Sequence, residues 1–251
     1  MFDWTTFSSD PTEPGAMKAV QGFLSSISQV IERPWNCTHR SFSQFCDHWL
    51  FNQFNPNGPL LDIGFADHTC DPMSSAWRHG RLRKIVDNCC GLDLNAERVR
   101  TIQTTTALEH LVAGDLTKNP DLPFDHFSGV FAGDVIEHMD NPSSLLQFIR
   151  GRLSKTGIAI ITTPNCYGKN ARRVRKSGIV IDNLEHIAWY SPFQMNEQCR
   201  RHQLHLKAII YFREGRKRQL AQALIPGLKE RQHRMRDNWC DNYSYILSHQ
   251  P

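Results

Sequence analysis

Pro59-Leu60-Leu61-Asp62-Ile63-Gly64 and, further on, Cys89-Cys90-Gly91-Leu92-Asp93-Leu94-Asn95 decide how this chain folds. Each is a short apolar run that ends in a carboxylate and a turn residue, the pattern of a strand covered on both faces. Two such strands side by side, each with an aspartate at its tip, build the crevice in which an open parallel sheet holds a nucleoside. Gly64 is followed by Phe65-Ala66-Asp67-His68 rather than by further glycines. A pyrophosphate needs the close backbone approach of G-x-G-x-x-G, with an acidic residue ~20 positions on. Gly64 stands alone and Asp93 follows too late, so the pattern speaks against a dinucleotide. A cofactor without phosphates, especially a cationic one among these carboxylates, suits it better.

Working outward, the chain alternates strand-like and helix-like segments as βαβ units do. Leu60 to Ile63 reads as the first strand, and Lys84 to Leu94 contains the second. Asn95 is placed to cap a helix running to about Thr106. Leu108 to Ala113 is the third strand, ending in Gly114-Asp115-Leu116, and Phe127 to Ala132 the fourth, ending in Gly133-Asp134. Asn141-Pro142 starts a helix with Leu145, Leu146, Ile149 and Leu153 on one face, and Gly157 is expected to stop it. Ile158 to Thr163 is a buried strand by composition. Ser191 and Gln194 have capping-box spacing for a helix ending near His202. Leu206 to Phe212 and Tyr243 to Leu247 are two more strands, expected to pair antiparallel near the sheet edge. Upstream, Gly15 to Ile31 and Ser41 to Phe54 read as helices. Phe42, Phe45, Cys46, Trp49 and Leu50 fall at core-facing spacing in the second.

The chain has 251 residues and a formal net charge of +4, enough for one large α/β domain with a small appendage. We expect a helical cover over 1–56 and a catalytic domain over 57–251, with a basic insertion near 213–240. No apolar run approaches the ~20 residues of a membrane span. The start of the chain has no signal-peptide pattern, so a cytoplasmic protein is expected. Its 8 cysteines show no C-x-x-C pair and no zinc-like spacing, so they read as reduced core thiols and no metal is expected.

Carboxylates recur at successive strand ends: Asp62, Asp93, Asp115 and Asp134. Singly, each reads as a loop or capping residue. As a set they line one crevice, with Asp93 suited to accept hydrogen bonds from both hydroxyls of a ribose.

The ordered motifs Leu61-Asp62-Ile63-Gly64, Gly91-Leu92-Asp93-Leu94-Asn95, Gly114-Asp115 and Gly133-Asp134-Val135-Ile136-Glu137-His138-Met139-Asp140-Asn141-Pro142 resemble those of a class I S-adenosylmethionine-dependent methyltransferase. Ile160 to Asn165 and Glu185-His186, followed by Trp189-Tyr190-Ser191-Pro192, extend the resemblance over about residues 57 to 212. It implies a Rossmann-like, doubly wound, seven-stranded sheet, mostly parallel with an antiparallel edge strand, plus N-terminal helices. It also implies S-adenosyl-L-methionine as cofactor, with Asp62, Gly64 and Phe65 at the methionine end. Asp93 and Leu94 would serve the ribose and purine, Asp115 and Leu116 the adenine, and Gly133 and Asp134 the sulfonium and acceptor pocket. The long stretch before the second strand resembles a glycine-poor branch associated with cell-surface glycan synthesis.

An oxygen acceptor needs a general base, and imidazole chemistry suits that near neutral pH. His138 follows the fourth strand, and His186 follows the fifth with Glu185 beside it; these three are the candidate catalytic residues. Lys169, Arg172, Arg173, Arg175 and Lys176, with the basic run from Arg213 to Arg236, would favour an anionic small-molecule or glycan acceptor, or else form a solvated face. No nucleic-acid reader motif accompanies them. The competing readings are a non-catalytic binding protein with this fold and a nucleic-acid methyltransferase. The N-terminal helices also offer a surface for pairing with another subunit.

Overall fold

A computed structural model describes residues 30–31, 46–67, 70–165, 168, 183, 185–212 and 242–249. Among the described residues the eight strands, in chain order, are β1 (Val30–Ile31), β2 (Leu60–Ile63), β3 (Cys89–Asp93), β4 (Leu111–Ala113), β5 (Phe127–Gly133), β6 (Leu153–Pro164), β7 (His205–Phe212) and β8 (Asn242–Ser248). They form one sheet in the order β1-β7-β8-β6-β5-β2-β3-β4. All neighbours are parallel except those of β8, which runs antiparallel between β6 and β7. The expected seven-stranded, mostly parallel sheet is present, with β1 added beside β7. From β2 the chain progresses outward to β3 and β4, then returns to β5 on the other side. The carboxyl ends of β2 and β5 therefore flank the switch point where such sheets bind ligands.

Alternation along the strands sends side chains to the two faces of the sheet, where the main cores lie. Leu61, Ile63, Val130, Ala132 and Ile161 face one side and pack with Leu145, Leu146 and Ile149 of the helix Pro142–Arg152. Leu60, Phe131 and Ile160 face the other and meet Leu50, Phe51 and Phe54. Leu50 and Phe51 come from the helical turns Cys46–Leu50 and Phe51–Gln53, Phe54 caps the second, and Phe51 sets its ring edge-on to Phe131 at 5.3 Å. Burying each such aromatic side chain contributes roughly 1.5–3 kcal/mol.

The caps read in the sequence form as expected. Asn95 accepts from the Arg98 N–H at the start of Ala96–Thr106, and Asn141 accepts from Ser143 ahead of Pro142. Ser191 and Gln194 complete a reciprocal capping box on Pro192–Arg201. Four boundaries differ. Val30–Ile31, expected as the end of a helix, is a strand paired with Ile209 and Ile210. The helix after Pro142 ends at Arg152 without Gly157, because Leu153 is already extended and begins β6. Gly157 lies inside that strand, where a Cβ would come within 3.0 Å of the Phe127 carbonyl. The third strand is only Leu111–Ala113, since His110 has a positive φ of 63° that breaks an extended run. A short helix, Arg78–Leu82, occupies part of the long stretch before β3.

Most of the expected helix from Gly15, residues 41–45 of the second, and both basic segments lie outside the described residues. Among the described cysteines, Cys46, Cys89, Cys90 and Cys199 are buried free thiols, and burial pushes Cys90 and Cys199 up to about 12. No helix among the described residues is long and apolar enough to cross a membrane.

Candidate active site

At the carboxyl ends of β2 to β5 lies a cleft of about 510 Å³, within the range of small-molecule sites. Its floor begins where β2 ends. Gly64 takes a φ of +73°, and a Cβ there would lie 2.6 Å from Val135 Cγ2, so glycine is required for both conformation and space. The turn that follows is held by side chains instead of by further glycines. Trp77 Nε1 donates to the Phe65 carbonyl at 3.1 Å, and the Ala66 N–H donates to Asp93 Oδ2 at 3.0 Å. The Arg78 guanidinium donates to the Gly64 carbonyl at 2.6 Å and to the Gly133 carbonyl at 3.1 Å, joining the ends of β2 and β5. The long insertion before β3 thus supplies the braces that the glycine-poor turn needs.

Asp62 is 0% exposed and sits beneath the cleft. His79 Nδ1 donates to its Oδ2 at 3.0 Å, and Arg78 Nε stands 3.7 Å from its Oδ1. Phe65 is likewise buried, its ring 5.0 Å from that of His79 and so close to Gly91 that a Cβ there would lie 2.7 Å away. The structure places both residues as supports under the expected methionine end, not in its lining.

Asp93 lines the cleft, with Oδ1 accepting from the Asn95 N–H at 2.9 Å. Each oxygen of the carboxylate retains a second lone pair. Leu94, beside it, also lines the cleft and is 74% exposed. Asp115 caps the turn Leu116–Lys118, and its bonds from Thr117 hold its carboxyl below the usual range. Leu116 and Thr117 complete this wall. Gly133 ends β5 where a Cβ would lie 2.7 Å from Arg78 Nη1. Asp134 follows with a φ of 55°; burial pushes its carboxyl up, while Arg78 and the Thr162 hydroxyl, 3.2 Å from Oδ1, oppose that rise.

The histidines lie at the far end. His138 Nδ1 donates to the Glu185 carbonyl at 3.1 Å, and the His138 and His186 rings meet edge-on at 4.8 Å. His138 and Glu185 line the cleft, and His186 reaches it only through its contact with the His138 ring. Glu137 is 0% exposed and accepts from Thr163 Oγ1 at 3.1 Å. Its backbone carbonyl accepts from the N–H groups of Ile187 and Ala188, which docks the His186 segment. Sequence reasoning assigned no role to Arg78 or Glu137. Glu137 lay within a quoted motif, whereas Arg78 carried no periodic signal.

A second cavity, of about 570 Å³, lies between Leu116 and the helix Pro142–Arg152. It is slightly larger, but it gathers none of the residues that follow β2, β3 or β5, so the chemistry belongs to the first.

This sheet order, with its cleft at the switch point, is the class I methyltransferase fold. A family model described as a methyltransferase domain matches residues 38–208, and the chain belongs to that family. No curated protein sequence matches. Among solved structures, a S-adenosylmethionine-dependent methyltransferase from Archaeoglobus fulgidus aligns with a TM-score of 0.57 at 17% identity, covering 83% of this chain and 95% of that one. A chain of the complex between the Haloferax volcanii Trm112 methyltransferase activator and a methyltransferase gives 0.54 at 16%, covering 93% and 97%. A S-adenosylmethionine-dependent methyltransferase from Clostridium acetobutylicum gives 0.52 at 11%, covering 92% and 98%. At these identities the likeness is one of fold. The family implies S-adenosylmethionine as methyl donor.

Proposed function

We propose that this enzyme methylates a hydroxyl of a small-molecule or glycan-type acceptor. The observation that carries this reading is the pairing of His138 and His186 at the end of the cleft, beyond Gly133 and Asp134. S-adenosylmethionine, when bound, supplies an electrophilic methyl group on a cationic sulfur.

The cleft residues fit such a group. Asp93 would hold the ribose hydroxyls, Leu94 and Leu116 the purine faces, and Asp115 the exocyclic amine. Gly64, Gly133 and Asp134 would border the methionine and sulfonium, with Asp62 and Phe65 supporting them from below. A methyl acceptor hydroxyl must give up its proton, and His138 is built to receive it. Its Nδ1 is a donor to the Glu185 carbonyl, so in the neutral ring Nε2 carries the lone pair. His186 packs against that ring and Glu185 fixes it, so the three act as one unit. The basic segments outside the described residues suit an acceptor with anionic groups.

Replacing Asp93 with Asn tests the cofactor assignment. An amide offers one acceptor oxygen, so its NH₂ would face the N–H of either Ala66 or Asn95. Affinity for S-adenosylhomocysteine should fall about 10–100-fold, the loss of one or two charge-assisted bonds. Calorimetry showing a change of less than about twofold would remove Asp93 from the ribose site. The acceptor class is tested by transfer of labelled methyl to sugars, nucleotide-linked sugars, phenols, amines and RNA. Methyl ethers are expected; label appearing only on nitrogen or on RNA would overturn the hydroxyl reading.

A further inference from the structure

Glu137 and His138 are adjacent on the turn after β5, while His186 arrives from the segment that follows β6. The fold brings one ligand atom from each to within 4.8 Å of the others. Atoms bound to one ion at about 2.1 Å stand roughly 3–4 Å apart. The largest separation here, 4.8 Å, exceeds that by about 1 Å, so binding needs only a small shift of the three groups. We propose that Glu137, His138 and His186 form a binding site for a divalent first-row transition ion at the acceptor end of the cleft.

Three features prepare the site. The Nδ1 of His138 donates to a backbone carbonyl, the outer contact that fixes a metal-binding imidazole with Nε2 presented to the ion. The Thr163 hydroxyl orients the fully buried Glu137 carboxylate. The same residue's carbonyl binds the N–H groups of Ile187 and Ala188, so the segments that carry the three ligands are locked together. Two imidazoles and one carboxylate favour manganese, iron(II), cobalt, nickel or zinc over magnesium and calcium, which prefer all-oxygen ligands. Three protein ligands would leave coordination positions open, and one of the ligands, His138, lines the cleft. An acceptor oxygen would bind there. That use of the ion rests on the hydroxyl-methylation reading, whereas the ion site itself does not. With the ion bound, the two imidazoles are ligands, and the ion would weaken the acceptor's hold on its proton, which passes to solvent water at the exposed end of the cleft.

The test is titration of the metal-stripped full-length chain with Co²⁺, followed by its visible absorption, and with Mn²⁺ and Zn²⁺ by calorimetry. One ion should bind per chain. His138→Ala and His186→Ala should each weaken binding beyond the roughly 10–100-fold that loss of an outer contact costs. The exposed His126→Ala, outside the cleft, should leave it unchanged. Glu137→Gln alters a buried group, so its unfolding curve is measured in parallel, and the exposed His138→Ala carries the decision. Absence of Co²⁺ binding to the parent chain overturns the site, as does binding that survives both histidine replacements. Transfer of labelled methyl to hydroxyl acceptors, measured on the same samples, separates the two readings. Its absence with Co²⁺ binding intact would sink the hydroxyl-methylation reading and leave the ion site standing, and the reverse result would do the opposite.

Discussion

Removing both histidines of the cleft, His138→Ala with His186→Ala, is expected to lower turnover on a hydroxyl acceptor by roughly 10²–10⁴-fold, the usual worth of positioned proton transfer. Affinity for S-adenosylhomocysteine should stay within about twofold, because the strand ends that would hold it, Asp93 to Leu116, lie along the other part of the cleft. The rings meet edge-on at 4.8 Å, and His138 is tethered to the Glu185 carbonyl, so they form one device rather than two. Each single replacement should therefore cost nearly as much as the double, as groups acting as a unit do. Single effects that multiply in the double variant would show separate roles. Unchanged turnover in all three variants would sink the assignment of His138, His186 and Glu185. The comparison holds whether the imidazoles take the proton themselves or hold an ion that eases its departure, since both uses require the pair.

How much of this site the sequence disclosed depends on the range of the interactions that build it. Asp93, Asp115 and Gly133 were legible because each follows an apolar run that is itself a strand, and a strand tip needs only local pattern to be recognised. The caps at Asn95, Asn141 and Ser191 were legible for the same reason: donor and acceptor lie within three residues. Arg78 was not. Its partners are the carbonyls of Gly64 and Gly133 and the carboxylate of Asp62, which no spacing rule connects to it. The Glu137, His138 and His186 cluster was missed as a set because its third member comes from another strand end. Val30–Ile31 misled because two apolar residues continuing a helical pattern read as helix, while their state is set by pairing with Ile209 and Ile210 far along the chain. The turn after Gly64 posed the opposite problem. Its want of glycines spoke only against a phosphate cradle, and Trp77, Arg78 and Asp93 show how such a turn is held.

Arg78 therefore gives the sharpest structural prediction. Arg78→Ala should destabilise the fold by about 3–4 kcal/mol, the scale of breaking a largely buried charged contact. For a chain of this size that is a fall of roughly 6–15 °C in Tm. Its side chain is 20% exposed, so part of the loss is regained by water reaching the freed carbonyls. Arg78→Lys should recover little, because an ammonium lacks the planar fork that serves the Gly64 and Gly133 carbonyls together. The decisive comparison is with Asp62. Once Arg78 is gone, Asp62 keeps its contact with His79 but loses its only nearby guanidinium among the described residues. Asp62→Asn in the Arg78→Ala background should then restore stability by about 1–2 kcal/mol, whereas Asp62→Asn alone should destabilise. Equilibrium unfolding of the four proteins measures this coupling directly. If Arg78→Ala unfolds like the parent chain, the turn after Gly64 supports itself and the insertion before β3 has some other task. If instead the two replacements add without coupling, Arg78 acts only through the two carbonyls, as a strap between β2 and β5 that owes nothing to the carboxylate below it.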